Sequence, residues 1–337
     1  MTFRSDPWRL PGLSGWLDRI EAALDMGLAV LLDDPTLPHG VLESLQARKV
    51  PLETVTPTRG QKPAAVLADA SGAAPHLDGL LVPSLDQFVA AVSLKGLGAD
   101  DLREWGMFVG RFLAERTKGR SGPSILIHHA PDSFPVPGSA ALPLWRMALR
   151  RGDLVIWAEE HLSDNRDGAA ADLAVALAVE LCGWRLDLAS ALVRAAITDL
   201  ADPLRWLAGR PDTAAMGPVV AGDTRSACPI ALQRSGNLAE LQRRAWHAQL
   251  IALFPILEER RLEMIALHRP RLKIDEHLRG LGVTSIDEIE LGALRYQLRD
   301  SLVRTDLDRL AVLARIRNSL AHRKIADPLD TRALIER

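Results

Sequence analysis

Two cysteines, Cys182 and Cys228, are all that a chain of 337 residues offers, so no disulfide framework can organise it, and a reducing cytosol is the simplest compartment. Aromatic residues are scarce at 4%, including a single Tyr. The core must therefore come from Leu, Ala, Val and Ile, and interleaved aromatics that would form a base-stacking platform are missing. Charge of one sign is not in excess either: 41 Lys plus Arg face 43 Asp plus Glu, which excludes a global basic field for nucleic acid. Any RNA or DNA contact has to be local. No run of about 18 uncharged apolar residues occurs, as a membrane span would need. The longest candidate, Leu173 to Cys182, is short and interrupted by Glu180. The opening MTFRSDPWRLPGLSGW lacks the basic and apolar regions of a signal peptide. A soluble, cytoplasmic protein without a membrane partner is expected. With neither CxxC nor HExxH present, no zinc site is expected.

What is present is enough apolar sequence, 47%, for one large domain or two ordinary ones. The first part alternates short apolar runs with helical patterns. Trp16 to Leu24 has helical spacing, and Gly27 ends it. Gly27–Leu32, GLAVLL, reads as a buried strand entering the turn Asp33-Asp34-Pro35. Helices are predicted over Val41–Lys49, Leu85–Leu94 and Leu102–Thr117. Strands are predicted at Leu52–Thr56, Ala64–Leu67, Leu80–Val82, Ser124–His128 and Asp153–Ala158. Strands alternating with helices predict a mostly parallel α/β sheet with helices on both faces. After about Asp172 the pattern is wholly helical. Residues 1–215 are thus expected to form the α/β module with a helical extension, and 216–236, within a Gly/Pro/Ser/Thr-rich stretch, a linker. Residues 237–337 are expected to form an all-α bundle with helices over Leu238–His268, Ile286–Leu302 and Asp306–Arg323. From Ser235 onward 18 Lys plus Arg face 15 Asp plus Glu, an asymmetry with the sign that a phosphate-binding region needs.

Chemistry concentrates in the last long helix, at Leu313–Lys324, LARIRNSLAHRK. Asn318 and His322 are i,i+4 neighbours on one face, with Arg317 on the adjacent flank. A histidine can take a proton from a ribose 2′-hydroxyl or give one to a leaving 5′-oxygen. An always-charged guanidinium can hold the phosphate and offset the charge that builds in the transition state, and an amide can orient either partner. One histidine per chain is too few for both proton transfers. A symmetric pair of chains would supply two, so a homodimer is a corollary.

The run Arg317-Asn318-Ser319-Leu320-Ala321-His322, late in the final long helix of a helical segment, resembles the signature of the HEPN superfamily: Arg, four to six residues, then His, often with a polar residue after the Arg. The resemblance covers about Asn237–Lys324. It implies a four- or five-helix domain that dimerises and brings two Arg/His sets into one cleft. Many such domains are metal-independent endoribonucleases of toxin–antitoxin, antiphage and RNA-processing systems. Arg317 and His322 would then be catalytic and Asn318 supporting, with RNA as substrate and no cofactor or metal. Two further matches, Arg261…His268 and Arg271…His277, lack the polar residue after Arg, and only three Asn occur in the whole chain. Against this stands a bland reading, in which RNSLAHRK is a solvated helix end whose cations complement the helix dipole. The apolar stripe Trp246, Leu250, Leu253, Phe254, Leu257 and Leu262 reads as core or dimer seam.

In the front part, the layout resembles an AAA/STAND-type P-loop module that has lost its Walker A loop. Asp33-Asp34-Pro35-Thr36-Leu37-Pro38-His39-Gly40 stands where a GxxxxGK[ST] cradle would be, with two acids in the phosphate position. No ATP hydrolysis is expected, and the module would sense a signal or dock a regulatory protein partner. Two alternatives remain open. One is a non-enzymatic scaffold with an inactive HEPN-like dimerisation domain. The other is a metal-dependent nuclease using Asp33, Asp34, Asp86, Asp132, Asp153, Glu159 and Glu160 at the ends of apolar runs, although Asp is also a common turn and N-cap residue. His128-His129 with Asp132, and His161 with Asp164, are the remaining metal-like groupings. Adjacent histidines on a strand should point to opposite faces and not share an ion.

Overall fold

A computed structural model describes residues 6–32, 36–130, 134, 142–164, 166–210 and 227–336. The chain forms two compact units, Met1–Arg150 and Arg151–Arg337.

The first unit runs α1 (Pro11–Asp25), β1 (Ala29–Leu32), α2 (Val41–Ala47), β2 (Leu52–Val55), α3 (Pro63–Ser71), α4 (Leu77–Leu80), β3 (Val89–Ser93), α5 (Ala99–Arg116), β4 (Ser124–His128) and α6 (Trp145–Ala148). The four strands make one parallel sheet in the order β1-β4-β3-β2, with Ala29 opposite Ile125 and Leu52 opposite Val89. Parallel strands need crossovers, which cover both faces and demand apolar strands, except at the edge strand β2, where Glu53 and Thr54 are exposed. On one face Ala29, Val55, Ala90, Val92, Ile125 and Ile127 meet Leu67 of α3 and Trp105, Val109 and Phe112 of α5 in a single core. α1 packs on β1 and β4, and its Leu13, Leu17 and Ile20 are almost completely buried. Gly27 ends α1 with φ +70°, where the Arg116 guanidinium fills the space that a side chain would take. Arg116 is fixed there by Asp86 (3.1 Å) and the Gly122 carbonyl (2.6 Å).

The α/β class and the parallel sheet follow the sequence expectation, but four elements differ. Ala64–Leu67 is helix α3, not a strand: Pro63 occupies the first helical position, where its fixed φ favours a helix start. Leu80–Val82 lies at the end of α4 and in the turn after it. Leu85–Leu94 contains β3 instead of a helix. Its VAAVS run is buried at every position, and such a continuous apolar run carries no periodicity to separate strand from helix. Asp153–Ala158 is also helical, inside a ten-residue helix whose Trp157 indole donates to Ser190 Oγ (2.9 Å) and the Leu186 carbonyl (3.1 Å).

The second unit is helical throughout its described residues. It comprises α7 (Arg151–Glu160), α8 (Gly168–Leu177) continuing as a π-helix over Ala178–Cys182, α9 (Leu186–Leu192), α10 (Ile197–Ala201), α11 (Pro203–Ala208), α12 (Pro229–Arg234), α13 (Leu238–His268), α14 (Glu276–Gly280), α15 (Leu291–Leu298), α16 (Arg304–Ala321) and α17 (Pro328–Ile335). α13 packs against α8, the π-helix and α16, so helices before residue 210 share a body with those after 237. The division therefore falls at Arg150, earlier than the expected boundary at 215. Residues 211–226 lie outside the described residues. The end of the expected linker is α12, with Pro229, Ile230 and Leu232 buried. Arg244 of α13 ties this stretch down by donating to the Ala227 carbonyl (3.1 Å) while Glu240 accepts from it at 3.0 Å. Arg185 makes two bonds to Asp187 (2.7 and 2.8 Å) and one to Cys228 Sγ (3.1 Å). Both cysteines are free, buried thiols, and burial pushes the Cys182 thiol far up.

Candidate functional site at the end of α16

α16 buries Leu310, Ala311, Leu313, Ile316 and Leu320, an i, i+3, i+6, i+10 stripe that leaves Arg315, Asn318 and His322 on the outer side. Its end is a Schellman motif. The Arg323 N–H donates to the Leu320 carbonyl (3.1 Å) and the Lys324 N–H to the Ser319 carbonyl (2.9 Å), with Arg323 itself left-handed at φ +56°. His322 is thereby the C-cap residue, its N–H donating to the Asn318 carbonyl at 3.1 Å.

Two side chains of α13 brace this end. The Trp246 indole donates to the Leu320 carbonyl (2.8 Å), and Gln249, fully buried, accepts from the Ala326 N–H (2.8 Å). Beyond the turn, Asp327 caps α17, and Arg315 forms a two-pronged pair with Asp330 (2.6 and 2.8 Å). That pair raises the Arg315 pKa, chiefly through the hydrogen bond to Asp330.

Of the predicted site residues, Arg317 is half-buried and donates to Glu290 at 2.5 Å. Glu290 is the N-cap residue of α15. Asn318 and His322 are exposed, and their side chains make no hydrogen bond or ion pair to other described residues. Arg317 and His322 are five positions apart, roughly 140° around the axis. Within one chain the guanidinium is thus drawn toward α15, while the imidazole sits at the helix end. The other Arg…His matches are engaged structurally: Arg261 donates to the Asp287 and Ile289 carbonyls (2.6 and 3.1 Å), and Arg271 to the Ser301 carbonyl (3.4 Å).

A grouping that the sequence analysis did not single out lies on the π-helix. Glu180 accepts from Arg151 (3.2 Å) and pairs with His247 Nδ1 (2.8 Å). The periodicity of LAVALAVELC gives no warning of a π-turn, and His247 follows Trp246 in an unremarkable helical run.

The carboxylates of the metal alternative scatter. Asp86 accepts from the Gly122 N–H (2.7 Å) and from Arg116, and the Gly122 bond is the main reason its carboxyl lies below the usual range. Asp153, Glu159 and Glu160 are on α7 and not at a strand end. Asp33, Asp34 and Asp132 lie outside the described residues. His161 is buried with Nδ1 2.8 Å from the Trp157 carbonyl. Among the described residues no three His, Cys, Asp or Glu side chains gather as a metal site.

At His128-His129 the expected opposition of the two rings is wrong. His129 is left-handed (φ +55°), which breaks the strand alternation and sets the ring centroids 4.6 Å apart. His129 Nδ1 lies 3.2 Å from Ser93 Oγ. Among the described residues the buried His128 Nε2 has no partner, and burial first, then His129, pushes the His128 pKa down to about 4. Of the described residues 36–40, Thr36 accepts from the Trp145 indole (3.2 Å), the His39 carbonyl accepts from the Trp8 indole (2.9 Å), and Gly40 is the N-cap residue of α2. Tryptophan anchors thus hold this loop. Among the described residues no helix is long and apolar enough to cross a membrane. No protein-family model, curated protein or solved structure matches the chain.

Proposed function

We propose that the second unit carries a HEPN-like, metal-independent endoribonuclease centred on Arg317 and His322, with Asn318 in support. The observation that carries this reading is the cap at the end of α16. A left-handed Arg323, the Trp246 indole and the buried Gln249 hold the helix end, yet Asn318 and His322 are exposed and make no hydrogen bond or ion pair to other described residues. Such caps are common at helix ends; here the cap also gives the exposed imidazole a defined place. Among the described residues Arg317 pairs only with the exposed Glu290, and an ion pair at a protein surface is worth little, about 0–1 kcal/mol. A phosphate can replace that partner.

The wide angle between Arg317 and His322 supports a homodimer, in which each cleft takes its cation and its imidazoles from two chains. Ile251 and Leu262, exposed on α13, leave apolar surface for such a seam. In the reaction the ribose 2′-oxygen attacks phosphorus and the bond to the 5′-oxygen breaks. One imidazole takes the 2′-hydroxyl proton and the other protonates the leaving 5′-oxygen, while Arg317 balances the charge on the phosphoryl oxygens. The first unit senses or docks a regulatory protein, in a toxin or antiphage setting in the cytoplasm.

The scaffold reading draws on the Glu290 pair, which occupies Arg317 in the isolated chain. A gel assay of RNA cleavage with EDTA present decides between the two. Cleavage lost in His322→Ala, with the oligomeric state in sedimentation unchanged, supports the nuclease. Undiminished cleavage by the variant eliminates these residue roles, and cleavage that EDTA stops moves the activity to the carboxylates.

A further inference from the structure

The most distinctive unassigned surface lies where α15 meets the start of α16. A depression of about 340 Å³ opens there, lined by Arg295, Tyr296, Arg299, Arg304 and Asp308, among others. Tyr296 is the only tyrosine of the chain and is 63% exposed. It has no part in the packing of α15, which is held by buried Leu291, Leu294 and Leu298. The Arg299 guanidinium lies over its ring at 4.6 Å from the centroid, a cation–π contact that holds the arginine at the rim.

The cations around the ring are weakly committed. Arg299 pairs with Asp300 (3.3 Å) and Arg304 with Asp308 (3.2 Å), all four side chains exposed, and Arg295 has no ion pair among the described residues. Exposed pairs of this kind exchange readily for a phosphate. An aromatic face ringed by guanidinium groups is the chemistry that single-stranded nucleic acid uses: the base stacks, and the backbone meets the cations.

We infer that this depression is a subsite for single-stranded RNA, with Tyr296 stacking one base and Arg295, Arg299 and Arg304 meeting the neighbouring phosphates. The inference rests on the nuclease reading for its choice of RNA. The same helix pair carries both places: Glu290, the partner of Arg317, caps the start of α15, and Tyr296 lies near its end. Arg304 and Arg317 are thirteen residues apart on α16, about 20 Å along the axis. They also lie roughly 140° apart around that axis, so a strand reaching from the subsite to Arg317 would have to wrap around α16.

The test measures binding of a labelled single-stranded oligoribonucleotide to the full chain carrying His322→Ala, in EDTA, alone and combined with Tyr296→Ala, Tyr296→Phe or Arg295→Ala. Tyr296→Ala is expected to weaken binding about 10-fold, while Tyr296→Phe, which keeps the ring, stays within twofold and controls for folding. Arg295→Ala should lower the salt dependence by about 0.7 in log–log slope. Binding by Tyr296→Ala within twofold of its parent overturns the subsite even if His322-dependent cleavage is found, so the active-site reading would stand alone. Tyr296-dependent binding in a chain whose cleavage ignores His322 keeps the subsite and removes the nuclease reading. A poly-glutamate peptide that binds through Tyr296 as tightly as RNA assigns the surface to an acidic protein segment and overturns the RNA proposal.

Discussion

Arg323→Gly should make the protein more stable, although it removes a cation from a helix C-terminus. Arg323 has φ +56° and is the left-handed residue of the motif that ends α16. Left-handed backbone costs a residue with a Cβ roughly 1–2 kcal/mol. Glycine removes that strain but loses roughly 0.5–1 kcal/mol through the greater freedom of its unfolded chain. The charge lost near the helix end offsets a further few tenths, because the side chain is exposed and the dipole term is screened there. The net gain is about 0.2–0.7 kcal/mol, or about 0.5–3 °C in Tm for a unit of this size. The backbone donors of residues 323 and 324 survive the change, so the cap and the position of His322 do too. Urea unfolding followed by circular dichroism gives the free energy, and an unchanged slope confirms that both variants unfold from the same state. A destabilised Arg323→Gly would refute the left-handed cap and, with it, the description of how His322 is presented.

Three further outcomes follow from the same contacts. Trp246→Phe should cost about 1–2 kcal/mol in urea unfolding: about 1 from the hydrogen bond to Leu320 and the rest from lost ring area. The carbonyl keeps its bonds from the backbone of residues 322 and 323, so no larger penalty for an orphaned acceptor is expected. Gly27→Ala should destabilise the first unit by at least about 1 kcal/mol, since φ is +70° and the new methyl group would overlap Arg116, which Asp86 and Gly122 hold in place; near-native stability would argue against that packing. With its folded pKa near 4 and its ordinary value at 6.5, His128 takes up its proton in the unfolded chain first. Its contribution is therefore complete above pH 6.5 and lost as the pH falls toward 4. His128→Asn should flatten the stability profile across that window, and equal slopes would contradict the buried, neutral imidazole.

How far the sequence reaches is visible element by element. GLAVLL and SILIH are strands because short apolar runs bounded by turns have few other uses, and Leu238–His268 keeps its helical periodicity from cap to cap. VAAVS and DLVIWA show the limit. Both are short apolar runs, and only their neighbours in space decide that one enters the sheet and the other joins a helix. The boundary at Arg150 was hidden for a related reason: the packing of α8 on α13 is a tertiary fact, and composition marks only the stretch after Pro211. At the candidate site the order Arg317, Asn318, His322 near a helix end was legible. The brace from Trp246 and Gln249, the Glu290 partner and the Glu180–His247 pair were not, because each joins residues between 27 and 77 positions apart.

The chemistry proposed for Arg317 and His322 needs a ribose hydroxyl as the attacking group. The most direct measurement therefore compares one RNA with the same RNA carrying a single 2′-deoxy residue at the cleaved linkage, both in EDTA, with the new ends read by mass spectrometry. Cleavage of the first alone, leaving a 2′,3′-cyclic phosphate and a 5′-hydroxyl, is the predicted result. Equal cleavage of the deoxy linkage, or a product with a 5′-phosphate, would contradict it.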